Sequence, residues 1–372
     1  MSIDNTSTAA ADHRTLSRRG VLAAAGVGAA ALGTAASAGT RDTAEASEVS
    51  PVEGADNFHT SDRVTVRRVT FLNQYDMTLA GNLFTPVDLP EDAAAPALVV
   101  GHPMGAVKEQ SANLYATKMA ERGYVTMSFD LPFWGESDGW PRQSVSPDLY
   151  AEAFSAAVDF LGTRAPVDRG RIGAIGVCGS GGFVLSAAKL DPRMRAIATV
   201  SMYDMGGLHR DGLDGTQPAQ ARQSWLADAA GQRYAQVDGD DVEWGYGTPL
   251  ELTADSTDIE REFFDFYRTP RGEFTPAGAS PDRTTMRPIT QEARFANFHP
   301  FDDLETISSR PLLFVAGDQA HSRRFSEDAY RRAAEPKTLH WVRGAGHVDL
   351  YDRVDLIPFD LLGEFFDQHL AG

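Results

Sequence analysis

The sequence predicts an α/β fold: a doubly wound, mostly parallel sheet carrying an inserted, largely helical cap. Three observations predict it. Short apolar runs alternate with helical patterns up to about residue 203 and again from 311 to the end, the signature of parallel strands joined by crossover helices. Those runs, ALVVGH and RIGAIGV among them, show little polar alternation, as expected of strands covered on both faces. Between residues 204 and 300 the alternation fails and Gly, Asp and Pro accumulate. A structureless loop of that length is uncommon inside a compact domain, so the segment is predicted to be a cap.

The elements follow in order. VTVRRVTFL and TLAGNLFTP, separated by a short polar turn, read as an antiparallel hairpin. ALVVGH is a strand, SANLYATKMAERG a helix, YVTMSFD a strand, DLYAEAFSAAVDFLGTR a helix and RIGAIGV a strand. A helix through FVLSAAKL and a strand through AIATVSM complete the first part of the core, residues 63–203. The cap holds two helical pieces, QARQSWLADAAGQRYAQV and STDIEREFFDFYR. Its aromatic residues, among them Trp225, Tyr234, Phe263, Phe266 and Tyr267, are expected to form a small core of its own, with some facing the crevice beneath. The second part of the core, residues 301–372, supplies PLLFVAG as strand, SEDAYRRAAE as helix, TLHWVRGAG as strand and a last helix in LIPFDLLGEFFDQHL.

Residues 1–38 read as an address. Arg18 and Arg19 precede an apolar stretch from Val21, and Ala36-Ser37-Ala38 forms a small-residue cleavage site, an arrangement that resembles a twin-arginine export signal. The apolar stretch is too short to span a bilayer, and no other segment is apolar enough to do so. Residues 39–62, polar and acidic, are expected to be a flexible linker. The signal implies an extracellular or cell-envelope location.

Thirty-four basic against 52 acidic residues leave a net charge of −18, which repels nucleic acid and anionic lipid surfaces and points to a small-molecule substrate. Only four lysines occur. A single cysteine, Cys178, excludes an intramolecular disulfide. No metal-ligand spacing and no phosphate-binding loop is present, so neither metal nor cofactor is expected.

The stretch RIGAIGVCGSGGF, residues 171–183, ends a strand in a glycine-rich run holding two nucleophiles, Cys178 and Ser180. A nucleophile on a sharp strand-to-helix turn needs small residues two before and two after it, and both candidates satisfy this. A thiol at the N-terminus of the following helix would see the positive end of its dipole, which favours the thiolate. VRGAGHVDLYD places His347 on a loop after the last strand, behind two glycines that let the loop approach. His102, His299, His321 and His340 are weaker candidates for the base. Asp130, in SFDLPFWGESDGWPR, is expected to brace its loop.

RIGAIGVCGSGG resembles the strand-to-elbow pattern of the α/β-hydrolases, and its G-x-C-x-G-G setting is similar to that of dienelactone hydrolases. With GHPMGAVKEQ, ATVSMYDMG, FSEDAYRRAAEPK and GAGHVDLYD, the likeness extends from Arg63 to the C-terminus, toward bacterial hydrolases related to dienelactone hydrolase and to acyl-peptide and X-Pro peptidase-like enzymes. The register of this resemblance implies Cys178 as nucleophile, with Ser180 the alternative, and His347 as base. It implies backbone oxyanion donors at Gly179 and, because Pro103 has no N–H, at Met104. A carboxylate usually follows the PLLFVAG strand by three residues. That position is Ala320, so Asp318 is the expected acid, with Glu327 and Asp328 as alternatives. The implied activity is cleavage of a carboxylic ester, lactone or thioester through an acyl-enzyme. Amide or peptide cleavage, or a catalytically silent binding protein of the same fold, are the alternatives.

Overall fold

The structure, a computed structural model, describes residues 52–90 and 92–372. The expected export signal and most of the expected linker lie outside the described residues.

Among the described residues ten strands are present: β1 (Val64–Leu72), β2 (Thr78–Pro86), β3 (Ala95–Gly101), β4 (Val125–Phe129), β5 (Val167–Val177), β6 (Met194–Val200), β7 (Trp244–Gly245), β8 (Arg287–Pro288), β9 (Leu312–Gly317) and β10 (Lys337–Val342). Eight of them form one sheet in the order β1-β2-β4-β3-β5-β6-β9-β10, and β7 pairs with β8 in a separate ribbon. β2 is antiparallel to both β1 and β4, while the pairs from β4 onward across the sheet are parallel. The doubly wound sheet of the sequence analysis is therefore the observed one. The central strands are buried over nearly all their lengths because helices cover both faces, which is why their sequences lack alternation.

Helices α1 (Ala112–Ala120), α2 (Pro147–Gly162) and α3 (Ser180–Leu190) belong to the first half of the core. Between β6 and β9 the chain leaves the sheet and forms α4 (Met205–Asp211), α5 (Ala219–Val237), α6 (Asp258–Tyr267) and α7 (Ile289–Glu292). It then returns through α8 (Arg323–Arg332), α9 (Asp349–Asp352) and α10 (Phe359–His369).

Two expectations change. The N-terminal segment from residue 52 is built into the fold rather than hanging from it. Asn57 is buried, its Oδ1 accepting from the Ser111 amide at 2.6 Å and its Nδ2 donating to the Glu109 carbonyl at 3.2 Å, and Ala55 bridges to Arg353. Polar composition concealed these backbone-satisfying contacts. The inserted aromatics also divide differently. Phe266 and Tyr267 join the main core, whereas Tyr234 on α5 is exposed.

α6 is pinned to the core beyond its rings. Thr257 and Glu260 cap its start reciprocally, and Arg271, just past its end, grips the Asp352 carboxylate at 2.7 and 2.9 Å. Deeper in the insertion Arg287 pairs with the buried Glu292, whose other contact is His209 Nε2 at 2.8 Å. Burial by itself would raise the Glu292 pKa, but Arg287 and His209 hold it down to about 2.

Candidate active site

The turn from β5 into α3 carries Cys178 at φ +54°, the left-handed region that a non-glycine residue occupies only when its surroundings impose it. The imposing contacts are backbone ones: the Cys178 amide donates to the Val200 carbonyl at 3.0 Å, and its carbonyl accepts from the Tyr203 amide at 3.0 Å and the Gly181 amide at 2.9 Å. Room for the turn comes from Gly176, where a Cβ would stand 2.3 Å from the Ser180 carbonyl oxygen. The result is a sharp strand-to-helix turn that places the thiol at the C-terminal end of the sheet, the geometry of a nucleophile elbow.

Ser180 has a different occupation. Fully buried in the first turn of α3, its hydroxyl donates to the His102 carbonyl at 2.5 Å, tying the elbow to the loop after β3. That loop is itself fixed at both ends. His102 Nδ1 donates to the Pro103 carbonyl at 2.8 Å and its Nε2 accepts from the Leu131 amide at 3.2 Å, a neutral tautomer that burial favours by lowering its pKa. The buried ammonium of Lys108 meets Asp130, Glu136 and Glu109 at 2.8, 2.7 and 2.9 Å, while the Lys108 amide donates to Asp130. Asp130 is thus a brace, as its sequence context suggested.

The braced loop brings Met104 against Gly179. A Cβ on Gly179 would lie 2.6 Å from the Met104 Cβ and 3.2 Å from its amide nitrogen. The Met104 and Gly179 amides both act on the Cys178 sulfur to lower its pKa. Two backbone N–H groups converging on one point are what an oxyanion hole requires.

The sulfur is 5 % exposed, and burial pushes its pKa up to about 11 against the opposing effects of Tyr351, the two amides and Arg287. Burial therefore opposes the thiolate that the helix terminus was expected to favour.

His347 is buried too. Burial, with His321 beside it, lowers its pKa well below the usual imidazole value, so it is neutral and able to accept a proton. It does not hydrogen-bond the sulfur directly. Its Nε2 meets the Tyr351 hydroxyl at 3.0 Å, and the same hydroxyl stands near enough to Cys178 for each group to shift the other's pKa. Tyr351 stays protonated, its pKa raised by burial and by the neighbouring sulfur. Tyr203 packs edge-on to the imidazole at 4.9 Å between ring centroids.

Asp318 is not placed with His347. Its carboxylate lies on the surface, accepting from the Gly344 amide at 2.8 Å and the Gln319 side chain at 3.0 Å. The His347 Nδ1 is met instead by the Ser322 hydroxyl at 2.6 Å. Glu327 and Asp328 pair with arginines on α8 and its flank. The loop after β9 turns through Asp318 early, facing solvent, and only four residues later points a side chain at the base. Sequence reasoning missed Ser322, Tyr351 and Glu262, which accepts from the Val348 amide at 2.7 Å. Tyr351 alone left a signal, its four-residue spacing from His347.

The X-Pro dipeptidyl-peptidase (S15) family profile matches residues 76–246. Protein PA2218 of Pseudomonas aeruginosa is 44 % identical over 319 residues, covering 84 % of this chain and 83 % of that protein. Its crystal structure superposes with a TM-score of 0.79 at 42 % identity, over 85 % of this chain and 97 % of the other. Protein YcjY of Escherichia coli is 33 % identical over 82 % of this chain and 99 % of its own length. The thiohydrolase aneE of Aspergillus aculeatus is 36 % identical over 136 residues, 37 % of this chain and 41 % of that protein. Elbow, sheet order and these relatives agree: the chain belongs to the family of PA2218 and YcjY within the α/β-hydrolases, and it is a hydrolase.

Proposed function

We propose that this hydrolase cleaves a carboxylic ester, lactone or thioester through an acyl-enzyme on Cys178. The observation that carries the reading is the convergence of the Met104 and Gly179 amides on the sulfur of a residue held at φ +54°. In the first half-reaction the sulfur attacks the substrate carbonyl carbon, and its proton passes through the Tyr351 hydroxyl to His347 Nε2. The carbonyl oxygen takes the negative charge between the two amides. Collapse of the tetrahedral species breaks the bond to the leaving oxygen or sulfur, which receives the proton from His347. Water, deprotonated by the same histidine, then hydrolyses the thioester to Cys178 and returns the enzyme.

A small organic substrate suits a site walled by Tyr203, Phe263, Phe266 and Tyr267. The name of the S15 profile motivates amide cleavage as the second reading, in which His347 must protonate a poorer leaving group. The twin-arginine leader supports export to the cell envelope or beyond. Loss of the mature form from the exported fraction of a cell lacking the twin-arginine translocase is the expected outcome.

The test is a panel of p-nitrophenyl esters, a thioester, a lactone and an anilide, assayed with wild type, Cys178→Ala, Ser180→Ala and His347→Ala. Esters and the thioester are expected to turn over, with loss of roughly a thousandfold or more in Cys178→Ala and His347→Ala. Activity surviving in Cys178→Ala, or no turnover of any panel member by wild type, would overturn the reading.

A further inference from the structure

We infer that Glu262, on the inserted helix α6, is a positioning residue for His347 and supplies the negative charge that the missing catalytic acid would provide. The inference rests on the reading of His347 as the base.

One carboxylate joins three elements. Glu262 Oε1 accepts from the Val348 amide at 2.7 Å, and the adjoining His347 amide helps to lower the carboxylate's pKa. Its Oε2 pairs with His321 Nδ1 at 3.0 Å, on the loop after β9. The insertion thereby clamps together the loop carrying the base and the loop where an acid usually stands. Gly346 makes the clamp possible, since a Cβ there would lie 2.7 Å from Oε1. The next residue of α6, Phe263, packs edge-on to both imidazoles, 5.7 Å from His321 and 5.6 Å from His347 between ring centroids.

The charge has a chemical use. At Nδ1 His347 meets only the neutral Ser322 hydroxyl, so no carboxylate touches the ring to stabilise the imidazolium that forms when it takes the thiol proton. Glu262 supplies that charge at one remove. The His321 ring lies 4.7 Å from that of His347, and its buried Nε2 has no hydrogen-bond partner. Although burial raises the Glu262 pKa, His321 and the backbone amides more than offset this and keep the carboxylate ionised.

The test measures kcat and KM for p-nitrophenyl butyrate in the full chain carrying Glu262→Gln or Glu262→Ala, beside Cys178→Ala and His347→Ala. Glu262→Gln keeps the shape and an acceptor for the amides but removes the charge. A fall in kcat of about tenfold is expected, with KM within about twofold and the thermal midpoint held, and a fall nearer a hundredfold in Glu262→Ala. A purely structural residue would not separate kcat from KM in the isosteric variant. If Glu262→Gln keeps the wild-type kcat while Cys178→Ala and His347→Ala are inactive, this inference is overturned and the proposed function stands. An active Cys178→Ala would instead overturn the proposed function. Should Glu262→Ala not fold, the glutamine variant decides alone.

Discussion

Cys178 joins a strained backbone to a thiol that its surroundings keep protonated. Its raised pKa fixes the sign of two pH effects. Thiolate in the folded protein should appear as pH rises toward about 11, whereas the same cysteine in denaturant titrates near its ordinary value of 9.0. Because the folded state holds the proton more tightly, this thiol's contribution to stability is full below about pH 9 and is lost as pH rises through about 11. Iodoacetamide, which has one cysteine to find in this chain, measures the first effect directly: the native alkylation rate should still be climbing at pH 10, where the denatured rate has levelled off. A native profile levelling near 9 would refute the account of a desolvated sulfur. The sharp turn at Cys178 was readable from sequence because the small residues that permit it, Gly176 and Ser180, are local, although Val200 and Tyr203 complete it. The hydrogen-bond partners of the His347 ring were not. They are Ser322, 25 residues earlier, and Tyr351, which no local motif joins to it.

Elements hold these residues by exchanging charge where they could have exchanged methyl groups. The loop between β3 and α1 stays in register with β4 through Lys108, buried among Asp130, Glu136 and Glu109. Removing the ammonium leaves the Asp130 carboxyl without its cationic partner in a site with no solvent exposure. Lys108→Met should therefore cost about 3–5 kcal/mol of stability by denaturant titration, more than a surface lysine could. It should also lower kcat, because the Met104 amide rides on the same loop. A loss under 1 kcal/mol would show the ion cluster to be dispensable. Strand and helix identities were legible along nearly the whole core, since burial on both faces writes a continuous apolar run. Edges were less so: β5 begins at Val167 rather than Arg171, where Ala95 pairs with it ahead of a register shift. The attachment of α6 to the loop after β10 had no local signature, because a carboxylate reaching across 86 residues of chain leaves no periodicity to read.

At the scale of the whole molecule, the sheet and the insertion are one packed body, with Phe266, Tyr267 and Phe295 continuous with the core under β6 and β9. The cap's aromatic residues were expected to form a small core of its own, while its polar composition describes α5 well and α6 poorly. On α5 only Ala229 is buried, while α6 contributes the side chains that cover Cys178 and His347. Composition averaged over 97 positions could not separate an outer helix from an inner one. Cys178 beneath them is only 5 % exposed, so an acyl group reaches its sulfur by displacing that cover. Admission and escape then become steps in their own right. For a good ester substrate, turnover should then fall in proportion to solvent viscosity when sucrose is added, while a sluggish substrate, limited by bond making, should ignore the thickened medium.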